Sequence, residues 1–307
     1  MVWRALRHVS VGLLIGTGQP EAVPDRMAVV VDRRQSGIRR RLQATHLVAS
    51  DQPGSRQPVP RPGGFGAWLH RFANPGRFLR LGRWLQPVLT WPAIVLTAVG
   101  LAWGLFLSPA DWQQGDAVRI MYVHVPAAWL GSLGYMALAV CGLLSLVWRH
   151  PLADLAAAEI GPVGACVTGL CLVSGSLWGR PMWGAWWVWD ARLTSVLVLF
   201  FLYLGHVALI RAFDDPRRGA RAAAILALAG AVDLPIIKFS VQWWNTLHQP
   251  DSITLTGAPT MSLSMLWPLL VCTIGFSLGF AAIVLARLRA AVMEARTRSL
   301  LLSGAAP

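Results

Sequence analysis

Trp178-Gly-Arg-Pro-Met-Trp183-Gly-Ala-Trp186-Trp187-Val-Trp189-Asp190-Ala-Arg192-Leu-Thr194 lies between two long apolar runs, and five of the chain's sixteen tryptophans fall within twelve residues of it. Each tryptophan offers a broad apolar face and a single N–H donor. Five in one connection read either as an anchor at a membrane surface or as a shelf for a large, flat, mostly apolar ligand with polar edges. The flanking runs, 156–177 and 193–210, are near the roughly 20 apolar residues that a membrane-crossing helix needs.

The composition agrees with the flanks. The chain of 307 residues is 55% hydrophobic and 13% charged, against about 25% charged in soluble domains. Fourteen of the 27 basic residues but only four of the 14 acids lie in residues 1–87, so +10 of the formal +13 sits there. A basic segment flanking membrane spans accounts for this better than nucleic-acid binding. Cys141, Cys166, Cys171 and Cys272 all lie in apolar runs and form no C-x-x-C pair, so neither a disulfide framework nor a zinc site is expected. Without a C-x-x-C-H motif, covalent haem attachment to this chain is not expected. Without a phosphate loop, ATP-driven work falls to a partner.

Residues 1–67 are rich in Pro, Gly and Arg and read as a disordered or artefactual N-terminal extension. His8, His46 and His70 are expected to be exposed and unliganded. Residues 68–87 put Phe78, Leu81 and Leu85 on one helical face with Arg77, Arg80 and Arg83 beside it, which predicts a short amphipathic surface helix before the first span. Six spans follow, near 88–108, 127–148, 156–177, 193–210, 220–237 and 263–285. The fifth is the weakest, because it contains Asp233 and Pro235. The expected fold is an all-α integral membrane protein whose spanning domain covers 68–290, with a tail at 291–307.

Thirteen Lys/Arg flank one set of span ends and four flank the other, namely Arg119, Arg180, Arg192 and Lys238. The positive-inside rule therefore puts both termini in the cytoplasm and leaves loops 109–126, 178–192 and 238–262 facing outward. These outer loops hold two histidines, His124 and His248. Histidine, tryptophan shelf and histidine each come from a different loop. Two imidazoles on opposite faces of a flat ring meet the requirement for axial ligation of a haem iron. Arg119, Arg180, Arg192 or Lys238 would pair with the propionates. His206 lies thirteen residues into the fourth span, about 20 Å from the outer surface, and His150 is at the other side, so both are expected to be structural or exposed. Asp190 is expected to cap the helix that begins near Arg192, to pair with Arg192, or to orient the tryptophan loop or a histidine. Asp233 reads either as a functional intramembrane carboxylate or as a partner for Lys238.

The signature Trp178-Gly-x-x-x-Trp183-Gly-x-Trp186-Trp187-x-Trp189-Asp190-x-Arg192-Leu193-Thr194 resembles the tryptophan-rich "WWD" motif of the haem-handling proteins of cytochrome c biogenesis. Tyr122-Val-His-Val-Pro-Ala-Ala-Trp129 and Lys238-Phe-Ser-Val-Gln-Trp-Trp-Asn-Thr-Leu-His-Gln249 narrow the resemblance to the CcmC family over residues 68–290. It implies a six-span protein of the bacterial inner membrane that holds haem b at the periplasmic face and promotes its covalent transfer to the haem chaperone CcmE. It further implies CcmD and the CcmA/CcmB ABC transporter as partners.

By the same resemblance His124 and His248 are the axial iron ligands. Trp178, Trp183, Trp186, Trp187, Trp189, Asp190 and Arg192 belong to the haem-binding loop. Asp111, Gln114 and Arg119 fall where the family's first outer loop contributes to the interaction of haem with the chaperone. No general acid, base or nucleophile is identifiable, so a haem lyase-like activity rests on the resemblance alone. Three rivals remain: a larger WWD relative serving apocytochrome c, a haem or solute transporter subunit, and a non-catalytic docking subunit of the ABC transporter.

Overall fold

The computed structural model describes residues 74–303, apart from 245, 250–251 and 254–256. The extension at 1–67 and its histidines lie outside the described residues, as does His70. Among the described residues the regular structure is helical: α1 Pro75–Ala102, running on as a π-helical turn to Leu107, α2 Met121–Trp148, α3 Pro151–Trp183, α4 Ala191–Arg211, α5 Pro216–Gly230, α6 Asp233–Trp243 and α7 Leu263–Leu302. A 3-10 turn, Asp116–Ile120, leads into α2. Among the described residues six helical stretches are long and apolar enough to cross a membrane, with α5 and α6 together making the fifth. The protein is a multi-pass membrane protein.

Local chemistry sets the helix ends. The Asn74 side chain accepts from the amides of Gly76 and Arg77 at the start of α1, Asp190 accepts from Leu193 at the start of α4, and Asp215 caps α5. Proline at the first position of α1, α3 and α5 forfeits only an amide that has no helical partner. Arg149, at φ 50°, reverses the chain between α2 and α3.

Several boundaries differ from the sequence reading: α2 begins at Met121 rather than near 127, α7 runs on past 285 and into the expected tail as far as Leu302, and three further differences have a visible local cause. The surface helix is not a separate element, because residues 75–86 run unbroken into the first span. Pro87 and Pro92 sit inside the helix without ending it, and the preceding turn is tied to α7: the Gln86 amide donates to the Ala282 carbonyl at 3.1 Å, and Gly82 packs under the Arg289 side chain. The third span runs past 177 to Trp183, where Gly184 at φ 74° ends it. The fifth span breaks at Ala231 and Val232, just before Asp233 and Pro235.

α1 packs along α7, α2 along α3, and α4 against α5, with α2 and α3 at the centre. Small residues allow the close approaches. A Cβ on Gly100 would lie 2.7 Å from Cys272 Sγ, and one on Gly275 would lie 2.6 Å from the Thr97 amide. One buried cluster, built on Tyr135, Leu138, Leu199 and Tyr203, fills the middle of the bundle. A second, with Val118, Met121, Tyr122, Met265, Leu269 and Cys272, lies below the end that carries His124, here termed the outer end. His206 is 1% exposed, and its two ring nitrogens face the carbonyls of Ala223 at 3.2 Å and Ala157 at 3.3 Å. It ties α3, α4 and α5 together, which is the structural role expected of it. His150 is buried beside the N-terminus of α3.

Candidate functional site

His124 projects from the first turn of α2 towards α3. Its Nδ1 lies 3.1 Å from the Cys171 carbonyl and 3.1 Å from Ser174 Oγ. A backbone carbonyl only accepts, so Nδ1 carries the proton and Nε2 keeps its lone pair. The Ser174 hydroxyl donates within its own helix, to the Leu170 carbonyl at 2.7 Å, which leaves its oxygen free to accept from the imidazole. Gly175 makes room for the ring: a Cβ there would stand 2.9 Å from His124 Cε1.

His248 comes from the connection between α6 and α7. Its Nδ1 lies 3.0 Å from Asp190 Oδ2. The other oxygen of that carboxylate accepts from the Leu193 amide at 2.7 Å. Asp190 therefore caps α4 and orients His248 at once, and again the imidazole is left with Nε2 as its free nitrogen. Burial holds His248 below the ordinary histidine range, with a small further push from the nearby Arg192 charge; the Asp190 bond pulls the other way. The two imidazoles are close enough for the charge on one to act on the other.

The tryptophans divide into two groups. Trp178 and Trp183 belong to the last turns of α3 rather than to a loop. Trp178 meets His124 edge-on, with ring centroids 5.6 Å apart, and Trp183 meets His248 at 5.1 Å. The Trp178 indole N–H donates to Gln114 Oε1 at 3.0 Å. Gln114 is held in turn by a tight turn on Asp111, whose carboxylate accepts from the amides of Gln113 and Gln114 at 2.9 Å. Trp186 and Trp189 are exposed on the connection to α4, and Trp187 packs edge-to-face on Trp189 at 5.6 Å. The Trp187 indole nitrogen is buried without a partner.

The cations are placed as follows. Arg192 Nε donates to Ser240 Oγ on α6 at 3.2 Å. Arg119 pairs with Asp116 at 3.1 Å and donates to the Leu105 carbonyl, while its Nε is buried without a partner. Arg180 donates to the Gly184 carbonyl and so caps α3.

Sequence reasoning missed Ser174, Gly175, the Cys171 carbonyl and Ser240. Cys171, Ser174 and Gly175 share one face of α3 by helical spacing, but nothing in an apolar run marks that face as the one turned to His124. Among the described residues no group of three or more His, Cys, Asp or Glu side chains converges on a point, so a bare metal ion finds no ligand set there. A metal already carried by a macrocycle needs only axial ligands.

These features define a six-span membrane protein with two tethered, Nε2-free imidazoles beside a tryptophan-rich helix end. A family model described as CcmC, heme exporter protein C, matches residues 68–303, and the chain belongs to that family. It is 54% identical over 228 residues to the heme exporter protein C of Bradyrhizobium diazoefficiens, covering 74% of this chain and 86% of that protein. It is 48% identical to that of Haemophilus influenzae, covering 74% and 92%, and 48% identical to that of Escherichia coli K12, covering 72% and 89%.

Proposed function

We propose that this protein holds haem b at the periplasmic face of the bacterial inner membrane and hands it to the haem chaperone CcmE, with CcmD and the CcmA/CcmB ABC transporter as assembly partners. One observation carries the reading: His124 and His248 both have Nδ1 committed to an oxygen acceptor, which leaves Nε2 available on each. This is the arrangement in which proteins prepare histidine as an iron or zinc ligand. The rest of the site fits an anionic, flat, apolar cargo. Trp187 N–H and Arg119 Nε are buried donors without acceptors. Arg119 and Arg192 supply positive charge for carboxylates. Trp186 and Trp189 present exposed rings.

Haem is the cargo here, and it brings the reactivity of its own macrocycle. The chain binds and orients it. Among the described side chains of the site none is set up as a nucleophile or general acid, and the contribution to transfer read from them is positioning of two partners, which supplies several kcal/mol where geometry is well held. The arginine distribution supports the periplasmic reading, since most of the basic flanks lie at the span ends opposite the outer end.

The test is the visible spectrum of the detergent-purified protein, oxidised and reduced, beside His124→Ala and His248→Ala. A low-spin b-type spectrum that is lost or altered in both variants is expected. Unchanged spectra in both would remove the ligation assignment. A colourless protein after growth with ample haem would favour a docking subunit.

A further inference from the structure

Asp233 opens α6 at the break in the fifth span and takes no part in the outer site. It is 9% exposed, and its Oδ2 is buried with no hydrogen-bond partner. Ten residues separate it from the outer end of α6 at Trp243, a depth of about 15 Å. α5 ends just before it, at Gly230. Tyr135 of α2 lies against this break: its hydroxyl donates to the Leu226 carbonyl at 3.3 Å, and any Cβ on Gly230 would overlap that hydroxyl. Tyr135 lies within electrostatic reach of Asp233.

A carboxylate in this position is poorly compensated. No hydrogen-bond donor reaches its buried Oδ2. Tyr135 of α2 is the titratable group of a neighbouring helix within its electrostatic reach, and the Tyr135 ring meets that of Tyr203 of α4 at 5.0 Å. Lys238 lies further along its own helix, and Arg192 of α4 is engaged at Ser240. Membrane proteins rarely keep an ionised carboxylate inside a span without a counter-charge. The span is kinked rather than unwound here: Ala231 and Val232 keep helical backbone angles, and Pro235 brings no amide to the turn.

We propose that Asp233, with the Tyr135 hydroxyl beside the kink at Ala231 and Val232, forms a site for one monovalent positive charge, a proton or a sodium-class cation. The absence of any cluster of three or more acidic, His or Cys side chains among the described residues argues against a divalent ion. The site is wired to the outer end by one short helix. Ser240, which holds Arg192, lies seven residues beyond Asp233, two turns along the same face of α6.

The test uses the full chain in detergent micelles, treated with a hydrophobic carbodiimide that adds to protonated carboxyls, and reads the adduct at Asp233 by peptide mass spectrometry. Unfolding temperatures are measured in sodium and in choline at equal ionic strength, for the wild type and for Asp233→Asn. An adduct at Asp233 at neutral pH assigns the proton. No adduct, with stabilisation by sodium that Asp233→Asn loses, assigns the cation. Neither an adduct nor a sodium effect confined to the wild type overturns the proposal. The labelling needs no variant and no haem, so its outcome is independent of the haem reading.

Discussion

Asp190→Asn separates the two jobs of one carboxylate. Asparagine is as good an N-cap as aspartate, so its amide oxygen retains the bond from the Leu193 amide, now 2.7 Å long. Its NH2 group then takes the place of Oδ2, which stands 3.0 Å from His248 Nδ1. An NH2 donates, so Nδ1 must accept and the ring proton moves to Nε2. The imidazole remains in place in the other tautomer, with no lone pair on Nε2, the nitrogen assigned to the iron in the proposed function. Loss of an orienting partner of this kind costs about 10–100-fold in metal affinity, or roughly 1.4–2.7 kcal/mol.

Haem titration of the purified variant, read by the low-spin Soret band, should show that loss with little change in unfolding temperature. Asp190→Ala should lose the cap as well, with about 1 kcal/mol of stability. Asp190→Ser, which still caps, should lose haem affinity but keep stability. Wild-type affinity and an unchanged spectrum in Asp190→Asn would refute the reasoning.

Gly175→Ala places a methyl 2.9 Å from His124 Cε1, so the ring must move; a weakened or shifted haem spectrum in a folded protein is expected, and an unaltered spectrum would show that His124 is not fixed there. Gly164→Ala drives a methyl into the buried Tyr203 ring, an overpacking that typically costs about 1–3 kcal/mol, to be read as a lower unfolding temperature with the haem spectrum kept. Removal of residues 1–67, which precede the family match, should leave haem binding and chaperone loading intact, as tested by co-purifying the chaperone with its haem.

The six spans were legible because each is a long apolar run, and the weakness of the fifth was visible in Asp233 and Pro235. The end of the third span was not. Gly179, Pro181 and Gly184 all resemble turn residues, and only the positive φ of Gly184 shows which of them stops the helix. Asp190 was readable as a cap because its partner is three residues away, whereas His248 lies 58 residues on and meets it only through the fold. The same limit hid the His124 tether, where 50 residues separate the imidazole from Ser174. Loop positions brought the two histidines to one side. They said nothing of the Nδ1 partners, which decide the nitrogen each imidazole leaves free.

Trp178 and Trp183 touch different imidazoles but ride on the same helix, five residues apart. Their offset along the axis is about 7.5 Å and is a property of the α-helix itself. α3 thus works as a ruler laid alongside the site, with one mark at each histidine. Tilting of the span in a thicker or thinner bilayer rotates both marks together and leaves the interval between them unchanged. On the proposed reading, the gauge for a ring held by both imidazoles is one continuous helix rather than the connections between helices.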